Sequence, residues 1–235
     1  MERKLELDMS ARKGGLAHSA IPWTIAASCL LVACERKDLE KGRISLGLGD
    51  YPMAIRSFQH VAEENPDSFD ARLGWGQALL QKAFAEGDDG AFNYALVQLE
   101  ACRSLAPSQD LSETLTDAYY EKARMQLRNL DTVAALTSLS KAIDRGPLNP
   151  RPLNLVGIVY GKLGDAEKAE SVFRKALLLD SADASANFNL GMILWQSGDV
   201  RGAHGHWLRA LKKLPQDEDV LYWFALSEKK LREAP

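Results

Sequence analysis

The sequence predicts an all-α fold, a solenoid of repeated helix-turn-helix units closed by a C-terminal helix. The segment from Val156 to Ala176 recurs between Leu190 and Ala210 with a shift of 34 residues. Hairpins of two helices repeat with periods of this length. Gly-Asp pairs at 49–50, 164–165 and 198–199 mark the turns within the units. In such a pair, glycine supplies the positive φ that ends one helix and aspartate caps the next.

The composition excludes several classes of protein. The chain has 235 residues, of which 46% are hydrophobic and 26% charged, as in ordinary globular proteins. Its net charge of −3 is spread along the chain, so we expect no nucleic-acid partner. The cysteines, Cys29, Cys34 and Cys102, are too few for a disulfide framework and lack the spacing of a zinc or redox site.

The N-terminal segment is predicted to be an export signal. Residues 21–34 form an uncharged run that follows the basic Arg12, and the run is shorter than the roughly 20 apolar residues of a spanning helix. A basic stretch, a short apolar core and a small residue are typical of a signal peptide, predicted here at 1–33. Either Met1 or Met9 can start it. The alternative is an uncleaved N-terminal anchor helix.

The tetrad Leu-Val-Ala-Cys that ends at Cys34 resembles the lipobox of bacterial lipoprotein signal peptides. In that family the cysteine is acylated and becomes the mature N-terminus, which implies a membrane anchor at Cys34. Two or more acyl chains hold a protein stably to a bilayer. An aspartate after the cysteine favours inner-membrane retention in the Gram-negative family, whereas this chain has Glu35. The resemblance therefore implies a lipoprotein facing the periplasm and favours the outer membrane.

The repeated segments resemble the tetratricopeptide repeat. Its signature places large apolar residues, a glycine, two alanines, an aromatic and a final proline at fixed positions of a helix-turn-helix. One unit shows these as Gly157, Ala169, Phe173 and Ala176. The same frame gives five units, at 35–67, 68–108, 109–148, 149–182 and 183–216. The resemblance implies a right-handed α-solenoid, with extra residues near 84–93 and 109–116 that lengthen helices or loops.

Helix packing explains the pattern of small and apolar residues and predicts a C-terminal capping helix. Small residues at the helix contact let two helices approach to about 8–10 Å, and each hairpin keeps an apolar face that a neighbour must cover. Residues 217–235 are predicted to form a capping helix, which opens with Asp217 and closes with Lys229 and Arg232, in accord with the helix dipole. Five hairpins and a cap predict eleven helices and no sheet.

The sequence suggests no catalytic chemistry. It contains no motif of a serine hydrolase, a zinc protease or a phosphate-binding loop. His204 and His206 are two residues apart and are interpreted, like the other histidines, as surface residues. Cys102 stands at a small-residue position, which favours a buried, inert thiol. We expect no enzyme, cofactor, metal or small-molecule substrate. A cell-wall-processing enzyme on a helical scaffold is the alternative from another class.

The family resemblance also implies a binding groove. In tetratricopeptide proteins the first helices of successive units line a concave groove that binds a protein or peptide partner. Carrying those positions over gives Tyr120, Arg124, Asn154, Ile158, Lys162, Phe188, Met192, Trp195 and Tyr222. Asp117, Leu127, Arg151 and Gln196 occupy further positions of the same kind.

The fifth unit carries a second apolar stripe on its first helix. Phe188, Met192 and Trp195 lie at i, i+4 and i+7, beside a packing seam formed by Leu190 and Leu194. A helix that is apolar on two faces has two partners. The stripe is either a contact for the binding partner or core that the capping helix covers.

The resemblance narrows the partner and the role. Leu39 and Arg43 stand where the carboxylate-clamp version of the family has lysine and asparagine, which makes chaperone C-termini poor candidates. The chain resembles pilotin-type and cell-envelope adaptor lipoproteins. We therefore expect a lipid-anchored interaction scaffold, with an assembly factor for pilus or secretion machinery as the alternative.

Overall fold

The computed structural model describes the backbone of residues 23–233 and the side chains from residue 33 to 233. Residues 1–22 of the predicted signal peptide lie outside the described residues. Within the described range the chain forms eleven helices and no strand, which confirms the all-α prediction. The helices are α1 Trp23–Gly47, α2 Tyr51–Glu64, α3 Phe69–Glu86, α4 Asp89–Leu105, α5 Ser112–Arg128, α6 Thr132–Arg145, α7 Pro150–Lys162, α8 Ala166–Leu179, α9 Ala184–Gln196, α10 Val200–Lys213 and α11 Glu218–Glu233.

Consecutive helices pair into five hairpins, α1–α2 to α9–α10, and α11 closes the stack. Each hairpin also packs against the next one, through the second helix of one unit and the first helix of the following unit. The odd-numbered helices lie side by side, as the contacts of α1 with α3 and of α7 with α9 show. This arrangement is the helical solenoid that the repeat predicts.

The turns within the hairpins follow the predicted Gly-Asp chemistry. Gly49, Gly164 and Gly198 have φ of 77°, 78° and 89°, a conformation that glycine adopts without steric cost. The aspartate after each glycine caps the next helix through its side chain, as Asp165 does by accepting from the backbone N–H of Lys168. In the third hairpin Leu130 takes the place of the glycine, with φ of 62°.

The glycines inside the helices allow close contact with large side chains of the second helix. A Cβ at Gly157 would lie 2.6 Å from the Phe173 ring, and one at Gly191 would lie 2.5 Å from the Trp207 indole nitrogen. Both aromatic side chains are buried almost completely. The glycine and aromatic positions of the repeat therefore pack together, because the glycine on one helix leaves space for the aromatic ring of the other helix.

The extra residues of the second unit lengthen both of its helices. Helix α3 has 18 residues and α4 has 17, whereas α7 and α8 have 13 and 14. In the third unit, the connection before Ser112 and a longer first helix, α5, with 17 residues, take up the surplus. The added turn of α3 extends the surface formed by the odd-numbered helices.

Candidate functional site

The surface of the odd-numbered helices contains a cavity of about 670 Å³ between α1, α3 and α5. Most of its wall is apolar, and two glutamine amides and a few charged groups complete it. Clefts of this size and character are common ligand sites in proteins. The side chains that line it include Arg43, Leu46, Tyr51, Gln77, Leu80, Gln81, Phe84, Thr114 and Asp117.

Phe84 is the most accessible large apolar group in this cavity, which we call the α1–α3–α5 cavity. It is 45% exposed and belongs to the added turn of α3, where its ring meets the buried Phe92 edge-on at 5.2 Å between centroids. Leu80, one turn earlier, is 7% exposed and forms part of the floor. Phe84 is thus an apolar contact that the neighbouring ring holds in place while one side of it stays open.

The rim of the α1–α3–α5 cavity is charged. The Arg43 guanidinium lies 3.4 Å from the Asp70 carboxylate, and Arg151 donates to Asp117 at 2.8 Å. These side chains are about half exposed, and exposed ion pairs contribute only about 0–1 kcal/mol. A ligand's own charges can therefore replace these pairs at little cost.

Sequence reasoning missed most of this cavity. Of its lining residues, Asp117 was among the positions carried over, and Arg43 was compared only with the carboxylate clamp. The first helix of the second unit was not assigned to the groove. The spacing of Leu80 and Phe84, four residues apart in a unit with surplus length, was the available signal. This spacing indicates a cavity only when α1 and α5 lie beside α3, and the sequence does not show that they do.

A second, smaller hollow lies between α5, the start of α6 and α7, with a volume of about 190 Å³. Ile158 and Lys162, both predicted for the groove, lie together in its wall, as does Leu127. The remaining lining residues are Leu130, Thr132, Leu155, Val159 and Leu163. We call it the α5–α7 hollow.

On α5, Tyr120 and Arg124 lie in sequence between the residues that line the α1–α3–α5 cavity and the residue that lines the α5–α7 hollow. The Arg151 guanidinium stacks over the half-buried Tyr120 ring at 4.6 Å from its centroid. Arg124 is exposed and donates to both oxygens of Glu121, at 3.0 and 2.9 Å. Both predicted residues are thus present at the surface, already in contact with side chains of the same chain.

Asn154 joins two neighbouring helices of the odd-numbered surface. Its side-chain nitrogen donates to the Ser185 hydroxyl on α9 at 3.0 Å. Its buried side-chain oxygen has no hydrogen-bond partner among the described residues. The contact with α9 gives this predicted groove residue a role in holding α7 and α9 together.

The apolar stripe of the fifth unit is packed against the core. Phe188, Met192 and Trp195 are half-buried and contact the cluster of the fourth and fifth units. The Trp195 ring lies 5.8 Å from that of Trp207 and 6.0 Å from that of Trp223 on α11. The structure therefore favours the second reading of the stripe, as core, and the capping helix contacts it at Trp195.

Tyr222 remains accessible on the capping helix. It is 61% exposed, and its ring meets Trp223 edge-on at 5.4 Å. Because Trp223 is packed against Trp195 and Trp207, Tyr222 stands at the outer margin of this tryptophan cluster.

The prediction that His204 and His206 are surface residues is wrong. Both are half-buried, and His204 stacks on Phe224 and lies 3.0 Å from the Ser227 hydroxyl. His206 lies 2.9 Å from the side-chain oxygen of the buried Asn187. Burial, together with the nearby Arg209, lowers the pKa of His206 to about 4. These histidines join α10 to its neighbours, an arrangement that spacing along one helix does not reveal.

The two cysteines with described side chains differ as predicted. Cys102 is fully buried, as predicted, and burial raises the pKa of its thiol to about 11, which disfavours the reactive thiolate. Cys34 is exposed. In the part of the chain that the structure describes, no group of three or more His, Cys, Asp or Glu side chains could hold a metal ion.

The chain enters the solenoid directly after Cys34. The Glu35 carboxylate accepts from the Ser68 hydroxyl at 3.1 Å and from the Asn65 amide at 3.4 Å. Both donors belong to the turn between α2 and α3. Cys34 is therefore beside the edge of the solenoid where one unit passes into the next. None of the described helices is long and apolar enough to cross a membrane.

Stacked helical hairpins with depressions on one surface define a helical solenoid of the scaffold type. A family model described as tetratricopeptide repeat matches residues 39–100 and 155–219, more than half of the chain. The chain therefore belongs to the tetratricopeptide repeat family, whose members mediate protein–protein or peptide binding. The unmatched stretch between the two segments contains the third unit, with its long connection before α5.

Solved structures with similar folds include tetratricopeptide repeat proteins. MamA from Desulfovibrio magneticus is 20% identical, with a TM-score of 0.52, over 79% of this chain and 98% of that one. YrrB, described as having an unusual peptide-binding site, is 15% identical, with a TM-score of 0.52, over 79% and 89%. A Parabacteroides merdae repeat protein is 15% identical, with a TM-score of 0.55, over 86% and 75%. These identities support the fold alone. Comparison with curated protein sequences gives no match.

Proposed function

We propose that the chain is a lipid-anchored interaction scaffold of the bacterial cell envelope, which binds a peptide segment of a partner protein on its odd-numbered helices. The observation that carries this proposal is the α1–α3–α5 cavity, with its apolar floor, its charged rim and the half-exposed Phe84. In this family the corresponding surface is the place where partners bind. The proposed location is the periplasmic face of a membrane, and Glu35 favours the outer membrane.

The cavity suits an extended peptide better than a small polar molecule. Its floor offers contact to one large apolar side chain, while Gln77, Gln81 and Thr114 provide amide and hydroxyl groups that can pair with a peptide backbone. Apolar anchors in a pocket supply most of the affinity in such complexes, and the polar rim supplies orientation. A peptide with one exposed apolar side chain satisfies both parts of the site.

The tether is supported by the lipobox resemblance and by the position of Cys34. Cleavage before this residue leaves the part of α1 that packs in the solenoid, including the buried Leu39 and Gly42. Because Glu35 is already bonded to the turn between α2 and α3, an acylated Cys34 holds the first unit close to the bilayer. A scaffold held this way suits a client within an envelope assembly, such as a pilus or a secretion channel.

Site-specific photo-crosslinking in a bacterial host tests the binding surface. We expect p-benzoylphenylalanine at position 84, in the cavity, to give a discrete light-dependent adduct with a partner. The control position is 94, because Tyr94 is 65% exposed but lies on the even-numbered helix α4. Adducts from position 94 alone, equal adducts from both positions, or none from position 84 would contradict the proposal.

A further inference from the structure

The α5–α7 hollow lies at the opposite end of α5 from the α1–α3–α5 cavity. Asp117 lines the cavity and Leu127 lines the hollow. Asp117 and Leu127 are ten residues apart on the helix, a rise of about 15 Å along its axis at about 1.5 Å per residue. Tyr120 and Arg124, at the surface of the same helix, fall between them in sequence. One extended ligand along α5 can thus reach both depressions.

Leu130 borders the hollow, and its backbone conformation lowers the stability of the folded protein. Its φ of 62° makes it the only non-glycine residue with positive φ in the described part of the chain. A left-handed conformation costs an L-residue about 1–2 kcal/mol, and glycine avoids this cost in the other hairpin turns. Its side chain is 88% exposed, so it gains almost no burial in return. The turn therefore leaves the Leu130 side chain at the border of the hollow, open to solvent.

The margin of the hollow carries unneutralised positive charge. Lys162 lines it and is exposed, and it forms no ion pair with any described residue. The nearby Asp131 is the N-cap of α6 and accepts from the backbone N–H of Ala134. An acidic residue of a ligand would complement the charge of Lys162.

We propose that the α5–α7 hollow is a second anchor point of the binding surface, an inference that rests on the proposed function. It holds a large aliphatic or aromatic side chain that has an acidic neighbour. The occupant is an extended peptide of the partner protein, whose other apolar side chain sits in the α1–α3–α5 cavity. The rise of about 15 Å along α5 is the least distance between the two anchors, so at about 3.3 Å per residue they are at least about five residues apart.

Selection from a library of random peptides displayed on phage, with the full chain as bait, tests the spacing. The expected peptides share two large apolar residues at one preferred spacing of at least about five positions, with Asp or Glu beside one of them. Replacing either apolar residue by serine should weaken binding of the labelled peptide about tenfold or more in fluorescence anisotropy. A single enriched apolar position, or no preferred spacing, overturns the second anchor.

Charge exchange tests the site itself. We expect Lys162→Glu to weaken an acidic selected peptide about tenfold, and a peptide with lysine in place of its acidic residue to regain the lost affinity. The matched control is Lys175→Glu, an exposed lysine on the even-numbered helix α8. Equal affinities of the wild type, Lys162→Glu and Lys175→Glu chains overturn the inference.

The two proposals fail in different ways. If Phe84→Ala weakens the selected peptide while Lys162→Glu does not, the proposed function stands and the second anchor is overturned. If neither substitution has an effect, the peptide binds elsewhere and both proposals are overturned. A library that yields no enriched peptide also counts against both. Unchanged circular dichroism of each variant shows that the affinities refer to folded protein.

Discussion

Leu130 shows how one residue can depart from the pattern of its repeat. The sequence predicts Gly-Asp turns where both residues are present, and the structure confirms the left-handed glycine in each of them. The third unit has only Asp131, so its turn could be placed by the capping residue, whereas its backbone conformation could not. The chain adopts the same turn there because the two flanking helices impose it.

We expect Leu130→Gly to stabilise the protein by about 1 kcal/mol, since glycine adopts positive φ without strain and the lost side chain is almost fully exposed. The measurement is the free energy of unfolding in urea. The control is Leu163→Gly, because Leu163 is also exposed at a hairpin turn but has φ of −77°. A gain from Leu163→Gly as large as that from Leu130→Gly would contradict the explanation.

His206 makes the stability depend on pH. Burial lowers its pKa from 6.5 to about 4, so between these values the unfolded chain binds a proton that the folded chain does not. The free energy of unfolding therefore falls as the pH decreases from 6.5 towards 4, and this contribution is fully present above 6.5. We expect His206→Gln to be less sensitive to a change from pH 7 to pH 5 than the wild type.

Urea unfolding at the two pH values gives this comparison directly. The explanation fails if His206→Gln loses as much stability between pH 7 and pH 5 as the wild-type protein loses.

At the scale of the helices, the capping helix is the element whose contacts the sequence left open. Its position and charge pattern were predictable, because acidic residues begin it and basic residues end it. Whether it covered the stripe of Phe188, Met192 and Trp195 depended on the rotation of α11 about its axis. The Trp223 ring contacts the rings of Trp195 and Trp207, and these contacts define the rotation of α11.

We expect Trp195→Ala to destabilise the protein by about 3 kcal/mol, because it removes the ring between the fifth unit and α11. Tyr222→Ala, at a position that is 61% exposed on α11, should cost under about 1 kcal/mol. The free energies of unfolding of the two variants test this difference. Equal losses would show that the tryptophan cluster does not hold the cap.

At the scale of the whole molecule, the repeat determined the fold and much of its core. The hairpin order and the glycine–aromatic contacts follow from residues a few turns apart, which the sequence presents directly. The α1–α3–α5 cavity depends instead on three helices from three units and on the added turn that carries Phe84. Its shape arises from the way the units stack, which is why only Asp117 of its lining was predicted.

The proposed tether at Cys34 would hold this binding surface at a membrane, and lipid labelling tests that proposal most directly. Cells expressing the full chain are grown with radiolabelled palmitate, with Cys29→Ala as the matched control. We expect label in the wild type and in Cys29→Ala, and none in Cys34→Ala, because acylation requires the thiol of Cys34. Equal labelling of the wild type and Cys34→Ala, or no label in the wild type, would contradict the tethered scaffold.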